Sequence, residues 1–442
     1  MDSLTVCTLQ IKGNKRTKAH VISRELLINT HSYYDYSSEK FKSLIRQSEA
    51  RITNLNLFNS VHITPELDRS TQEQMCIQLT ITVVEKWYHW PIPFLEFSDR
   101  NFNVWGNLNF DPKRTNYGLY VFNYNLWGKN HTLKTKLKTG YNTKLGVEYR
   151  IPFLSPSNNW GMSVLIDHSS QHEVWYETRN DSLQFYKNEK NDLVTQTDAR
   201  LNVRKRITPF STLKFTLQYR NDQLDVSVPL NDYLLNNANH QKTFAIYGEI
   251  EMDKRNNIFY PTEGSYINVG LAGMAWTNTT DQFNSRLTFK AAKYAKVSSK
   301  IYTAVAAYSQ LNSNKILPYS QRKMFGYDEI IRGYEHYVVD GSSGWKWNAS
   351  LRYHVLKKEI SISYVPENYT ILPLNIYAEL YADGGYVNYA SPHSSNLLVN
   401  RFIYSGGIGL NMLFYNDRVI RTEYSLTSLK EHGFFVHFLK AI

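Results

Sequence analysis

Leu213-Lys214-Phe215-Thr216-Leu217-Gln218-Tyr219-Arg220 alternates without a break. In an extended chain Leu213, Phe215, Leu217 and Tyr219 fall on one face, and Lys214, Thr216, Gln218 and Arg220 on the other. The same pattern recurs where Phe283, Leu287, Phe289 and Ala291 oppose Asn284, Arg286, Thr288 and Lys290, and where Leu133, Leu137 and Tyr141 oppose Lys134, Lys136 and Lys138. A soluble sandwich alternates too. The deciding feature is that Lys and Arg keep to one face while the other stays uncharged, as a wet lumen and a lipid-facing band require. About sixteen such segments of membrane-crossing length fit between Trp87 and Ile442, an even number as single-chain barrels require. The lumen is expected to be positive, lined by Lys134, Lys136, Lys138, Arg200, Lys214, Arg220, Arg286 and Lys290.

The bulk properties fit that architecture. The mean hydropathy is -0.45, and no apolar run is long enough for a membrane-spanning helix. Aromatic residues make up 14% of the chain, with 33 Tyr and 9 Trp, the side chains suited to the boundary of hydrocarbon and water. The net charge of +11 raises the question of nucleic acid. No basic helix or zinc spacing accompanies it, and Arg204-Lys205-Arg206 reads as a wet strand end, so no nucleic-acid partner is expected. Met1 to Gln10 has no apolar core of a secretory signal. A barrel must first cross the inner membrane, so the chain is expected to be a mature form.

Before the barrel, the periodicity predicts strand, helix, helix, strand, strand. Leu4 to Ile11 is the first strand, Thr17 to Leu27 and Ser38 to Leu55 are the helices, and Asn59 to Thr64 and Met75 to Val84 are the last strands. This α+β domain takes residues 1–86, and the barrel takes residues 87–442. Cys7 is in phase with Leu9 and Ile11, whereas Cys76 is out of phase with Ile77, Leu79 and Ile81. That phasing puts the two thiols on opposite faces of the sheet, so both are expected to be free.

The first domain, with Ile11-Lys12-Gly13-Asn14 and Leu57-Phe58-Asn59-Ser60-Val61, resembles a polypeptide-transport-associated (POTRA) domain. The remainder resembles the barrel of the BamA/TamA-like outer-membrane assembly superfamily. Three segments carry that likeness: Phe259-Tyr260-Pro261-Thr262-Glu263-Gly264, like the periplasmic turn midway round the barrel; Ile331-Arg332-Gly333-Tyr334, like the motif of the sixth extracellular loop; and Tyr381-Ala382-Asp383-Gly384-Gly385, like strand thirteen. The resemblance implies a bacterial outer-membrane protein with its POTRA domain in the periplasm. Its partners would be outer-membrane lipid, unfolded outer-membrane protein clients, and periplasmic or lipoprotein partners through the POTRA domain.

Arg332 offers a planar fork suited to a carboxylate, and Gly333 allows a close backbone approach. Parity along Leu374 to Val387 puts Glu379 and Asp383 on the lumen face, where a loop folded into the barrel could bring Arg332. On the preceding strand, where the family usually has a lumen Glu, this chain has Arg352, and Glu379 is expected to supply the missing charge.

Closure requires the first strand, Trp90 to Ser98, to meet the last, Gly433 to Phe438. Pro91 and Pro93 cannot donate to a ladder, and Gly433 lacks a side chain to pack, so the seam formed by Pro91, Pro93, Phe94, Gly433, Phe434 and Phe435 should be weak. The resemblance implies that such a seam opens to template client strands. Nothing points to catalysis, a metal or a cofactor. His168, His172 and Glu173 lack the helical spacing of a metal motif, and Gly341-Ser342-Ser343-Gly344 is not a nucleophile elbow. An assembly factor acting without cofactor is the leading expectation. A polypeptide-export pore and a structural accessory barrel are the alternatives.

Overall fold

The computed structural model describes residues 4–440 except 31, 69–74, 98–101, 108, 156–158, 189–190, 230–231, 278–281, 362, 364–370 and 415–417. The N-terminal part contains β1 (Leu4–Lys12), α1 (Ala19–Ser23), β2 (Tyr33–Tyr34), α2 (Glu39–Asn54), β3 (Phe58–Asp68) and β4 (Cys76–Glu85). Its sheet runs β2-β1-β4-β3, with β1 parallel to β4 and β3 antiparallel to it. The Ser38 hydroxyl caps α2 by accepting from Phe41 N at 3.1 Å. Phe41, Ile45 and Ile52 on its inner face pack with Ile77, Leu79 and Ile81 of β4 in one core. The first helix is shorter than its apolar pattern suggested. The chain turns after Ser23, with Glu25 N on Ile22 O and Leu26 N on Ser23 O, and this turn aims Glu25 at Arg51. Gly13 has φ +89°, and a Cβ there would lie 1.9 Å from Val83 O, so the turn after β1 accepts only glycine.

The expected free thiols are instead a disulfide, Cys7–Cys76, with Cα atoms 5.9 Å apart. The phasing failed because β1 is bulged: Val6 pairs with Ile77 and Thr8 with Gln78, leaving Cys7 as the extra residue. The bulge takes Cys7 out of step with Leu9 and Ile11 and aims its sulfur at Cys76.

The second part is a single antiparallel sheet of sixteen strands. Its first half comprises β5 (His89–Phe97), β6 (Thr115–Leu126), β7 (His131–Gly140), β8 (Asn142–Ile151), β9 (Trp160–Gln171), β12 (Val194–Thr208), β13 (Ser211–Leu224) and β14 (His240–Asp253). The second half comprises β15 (Gly264–Thr277), β16 (Gln282–Lys296), β17 (Ile301–Asn312), β20 (Ser343–Ser361), β21 (Ile371–Asn388), β22 (Phe402–Phe414), β23 (Arg418–Thr427) and β24 (His432–Lys440). Helix α3 (Phe102–Asn107) follows β5. Two hairpins, β10 (Glu173–Arg179) with β11 (Ser182–Lys187) and β18 (Lys323–Phe325) with β19 (Val339–Asp340), sit in loops.

The edges of this sheet are β5 and β24, and no ladder joins them among the described residues. Sixteen flat strands would hold those edges about 70 Å apart. Yet Asn103, a few residues past Phe97, hydrogen-bonds the backbone of Val436 on β24. So short a segment spans at most about 20 Å, so the sheet curls and brings its two edges near each other.

The burial profile is the reverse of a soluble protein's. Leu217, Ile246, Leu271, Phe283, Leu380, Ile408 and Phe434 are exposed, while Asp167, Asp198, Asp222, Asn284, Asp383 and Glu423 are buried. An apolar band outside and polar groups inside are what a barrel in lipid needs. No helix among the described residues is long and apolar enough to cross a membrane. Acids accompany most of the lumen cations expected from strand parity. Glu96 lies 3.2 Å from Lys136 and 3.6 Å from Lys138. Likewise Asp198 meets Arg200, Glu249 meets Lys214, Asp222 meets Arg220 and Glu329 meets Lys290.

The α+β part is tied to the barrel by its turns. Lys18 N donates to Gly128 O at 2.9 Å. The buried Glu25 carboxylate takes Arg51 at 2.6 Å and Arg206 of β12 at 2.8 Å. Arg24 lies 3.1 Å over the Phe153 ring, and burial, then the nearby Arg206, lowers its pKa to about 10.

Candidate functional site

The chain between β17 and β20 folds into the barrel and carries Ile331, Arg332, Gly333 and Tyr334 to its wall. Arg332 is 7% exposed. Its Nη2 lies 2.6 Å from Asp383 Oδ1, its Nε donates to Asp383 Oδ2 at 2.8 Å, and its backbone N donates to the same oxygen at 3.1 Å. Nη1 reaches Glu379 at 3.4 Å and Glu423 of β23 at 3.5 Å, and the guanidinium covers the Tyr381 ring at 3.8 Å. A fork held by two carboxylate oxygens has one orientation, so the pair fixes the loop as well as its charge.

The neighbours of Arg332 explain why the motif has its composition. Gly333 has φ +89°, and a Cβ there would lie 3.0 Å from both Ser425 Cβ and Thr427 Cγ2, so a side chain would push the loop off β23. Ile331 is buried over Gly385, where a Cβ would meet its Cδ1 at 2.8 Å. The Tyr334 hydroxyl donates to Tyr404 O at 3.2 Å and lies 2.7 Å from Ser428 Oγ. Glu335, the next residue, is fully buried and lies 3.2 Å from His437 Nε2 on β24.

Arg352 faces the same lumen, and Glu379 Oε1 stands 3.4 Å from both Arg352 and Arg332. Arg352 in turn donates to Pro261 O at 3.0 Å and lies over the Tyr260 ring. Asn411 Nδ2 donates to the Tyr260 hydroxyl at 3.0 Å and to Glu379 Oε2 at 2.6 Å. The turn from one end of the barrel and the loop from the other therefore meet at Glu379.

At the seam, Tyr124 N donates to Tyr88 O at 2.8 Å. Backbone groups alternate sides along a strand, so Trp90, Ile92 and Phe94 bond β6, while Pro91 and Pro93 face the open edge. Both positions lacking N–H are therefore on the seam. The Phe94 ring lies 4.4 Å from that of Tyr120 on the inner face. On β24, Phe434 is exposed to the outside, and the Phe435 ring turns inward, 5.4 Å from the His336 ring. A Cβ on Gly433 would meet that Phe435 ring at 2.8 Å, so Gly433 makes room for its neighbour. Val436 directs both its N–H and its C=O outward, to the Asn103 side chain at 3.2 and 3.4 Å. Ser98 lies outside the described residues.

Asn103, Glu335, Glu423 and His437 escaped the sequence analysis. Parity would have placed Glu423 inside with Arg421 and Ser425, and Glu335 directly follows the motif. Among the described residues, Glu335, Glu423 and His437 alone bring three acidic or imidazole donor atoms within 4.8 Å of one another. The Glu423 carboxylate already faces Arg332 and Arg421, at 3.5 and 3.2 Å, so the charge pattern is that of an ion-pair cluster rather than a metal centre.

Comparison with known proteins follows the same outline. The Omp85 superfamily domain matches residues 125–413, and a POTRA family described as "surface antigen variable number repeat" matches residues 5–86. No curated protein matches the chain in sequence. Among solved structures, BamA from Haemophilus ducreyi lacking POTRA domains 1–3 is similar with 14% identity and TM-score 0.54, over 98% of this chain and 83% of that one. CdiB from Escherichia coli gives 9% identity and TM-score 0.56, over 99% of this chain and 90% of that one. CdiB from Acinetobacter baumannii gives 10% and 0.53, over 99% and 73%. At such identities the likeness is one of fold.

Proposed function

Because the chain belongs to the Omp85 superfamily, whose members are membrane assembly and transport proteins, we propose that it assembles other outer-membrane proteins by lending its seam to an incoming strand. Barrels of the BamA and CdiB type sit in the bacterial outer membrane. The observation that carries the proposal is the placement of Pro91 and Pro93 on the open edge of β5. They remove two donors from the one strand pair that must part, so opening there breaks fewer hydrogen bonds than opening elsewhere. An exposed strand edge is a template for another chain. The edge of β24 is the better donor of pairing groups, and Asn103 occupies one position on it with a side-chain amide that mimics a peptide. The client is an unfolded outer-membrane chain, and no nucleotide or cofactor is required. The α+β domain, docked on the short turns, faces the periplasm and offers a surface for clients and for lipoprotein partners.

The export-pore reading would need a polypeptide to pass the Arg332 loop, which buried ion pairs hold inside the barrel against β21 and β23, and it is the second choice. In the structural-accessory reading the seam stays shut. Reconstituted in liposomes, the protein should speed the folding of a urea-denatured eight-stranded outer-membrane barrel over empty liposomes. Equal rates with and without the protein would refute the assembly proposal.

A further inference from the structure

The chain that leaves β5 comes back to the seam. Asn103, on helix α3, accepts from Val436 N at 3.2 Å through Oδ1 and donates to Val436 O at 3.4 Å through Nδ2. One side chain thus takes both backbone groups of one residue, as the opposite residue of an antiparallel strand does in a hydrogen-bonded pair. Val436 is the midpoint of the nine-residue strand His432–Lys440. Backbone groups alternate sides, so the open edge of β24 presents Phe434, Val436 and Phe438, and Asn103 sits on the central position. The loop that carries Asn103 is folded on itself. Trp105 Nε1 donates to Asp111 O at 3.1 Å, the Trp105 ring meets Phe110 edge-on at 5.0 Å, and Phe110 N donates to Trp105 O at 3.1 Å. Arg114, just beyond, reaches both carboxylate oxygens of Glu173 on β10 at 2.8 Å. These contacts hold the loop together without help from β24.

We propose that Val436 is the point at which an incoming extended strand adds to β24, and that Asn103 is a stopper seated there until such a strand displaces it. An antiparallel strand on this edge needs the Val436 N–H and C=O for its own backbone. The carboxamide already uses both and fills the place of the partner's peptide group. Amide replaces amide in the exchange, so little is gained at Val436 itself, and the gain must come from further pairs along β24. A segment that reaches no further than Val436 therefore leaves the stopper in place, whereas a full strand displaces it. The same contact guards the edge against pairing with the edge of a second barrel. That the incoming strand belongs to a client rests on the proposed assembly role, but the seat of Asn103 on β24 is testable without a client.

The residue type fits that role better than plain filling of the seam. A carboxamide carries a donor and an acceptor in one plane, whereas a carboxylate only accepts and an aliphatic side chain does neither. The facing edge of β5 lacks an N–H at Pro91 and at Pro93, and Asn103 brings one to the edge of β24. Both bonds are between neutral groups, whose net worth against water is small, so the stopper can be dislodged without unfolding the barrel.

The test compares the full-length wild type with Asn103→Ala and with Asn103→Leu, which keeps the side chain's bulk but not its amide. Lys113→Ala, at an exposed position of the same loop, is the control. Amide hydrogen exchange in detergent should show Val436 several-fold less protected in both Asn103 variants and unchanged in the control. In liposomes the urea-denatured eight-stranded barrel should fold roughly three- to tenfold faster with either Asn103 variant than with the wild type, as the loss of a weak net hydrogen bond or two allows. Wild-type protection of Val436 in both variants overturns the contact. Reduced protection with client folding no faster than wild type overturns the stopper, and if the wild type itself is active the assembly role stands without it. Should Asn103→Ala fail to fold, the same two readings of Asn103→Leu decide. Client folding at the rate of empty liposomes for the wild type and both variants removes the assembly role and the stopper together, whereas an inactive wild type beside active variants supports both.

Discussion

Arg332 and Asp383 meet as a two-point pair, Nη2 to Oδ1 at 2.6 Å and Nε to Oδ2 at 2.8 Å, with the Asp383 side chain fully buried. Removing one member leaves the other charge without its match, which costs about 3–5 kcal/mol at deep burial and less where lumen water reaches it. Arg332→Ala and Asp383→Asn should both free the loop and lower heat resistance on semi-native gels. Arg332→Lys should recover only part of it, because an ammonium cannot satisfy two oxygens in one plane. Unchanged heat resistance in Arg332→Ala would remove the structural role given to the pair.

Gly333 should be as sensitive as the charge beside it. Its backbone is left-handed, and an added Cβ would press on Ser425 and Thr427. Gly333→Ala should cost about 1–2 kcal/mol from backbone strain, with the crowding against β23 adding to it. Protease cleavage within residues 326–338 should rise in this variant, and cleavage at the wild-type rate would contradict the close approach.

The Cys7–Cys76 disulfide closes a separation of 69 residues, for which the chain-entropy account gives about 4 kcal/mol. Reduction should lower the melting midpoint of the α+β domain by on the order of 15 °C or more. The barrel, which has no cysteine, should be unaffected. A domain that melts alike with and without reductant would contradict the bridge.

Glu25 should govern how firmly that domain sits on the barrel, since it accepts both Arg51 from its own domain and Arg206 from β12. Glu25→Gln leaves two guanidiniums facing a neutral group. The distance distribution between spin labels at Ser43 and Asp253 should broaden in the variant. An unchanged distribution would show that the contact does not set the docking.

Sequence periodicity predicted the architecture because alternation is a local property, and strand parity put Glu379 and Asp383 on the lumen face without any structure. Two kinds of information were not local. The bulge at Cys7 inserts one residue into β1, and no feature of Thr5 to Leu9 marks it, so the phase argument misplaced the thiol. The acids beside the lumen cations are only partly local: Asp198 and Asp222 stand two residues from Arg200 and Arg220 on the same strands, but Glu96 on β5 answers Lys136 on β7, and Glu329 in a loop answers Lys290 on β16. His437 and Asn103 lie about a hundred or more residues from Glu335 and Val436, respectively, so only the curled sheet makes them neighbours.

On the assembly proposal the β5–β24 seam opens during work. Cysteines at Phe94 and Phe435, or at adjoining inward positions matched to the register, would tie the two edge strands in a background where Cys7 and Cys76 are replaced. The oxidised protein should fold and migrate as a barrel, fail to speed client folding in liposomes, and recover on reduction. Full activity in the oxidised, locked protein would contradict lateral opening and leave the structural-accessory reading in its place.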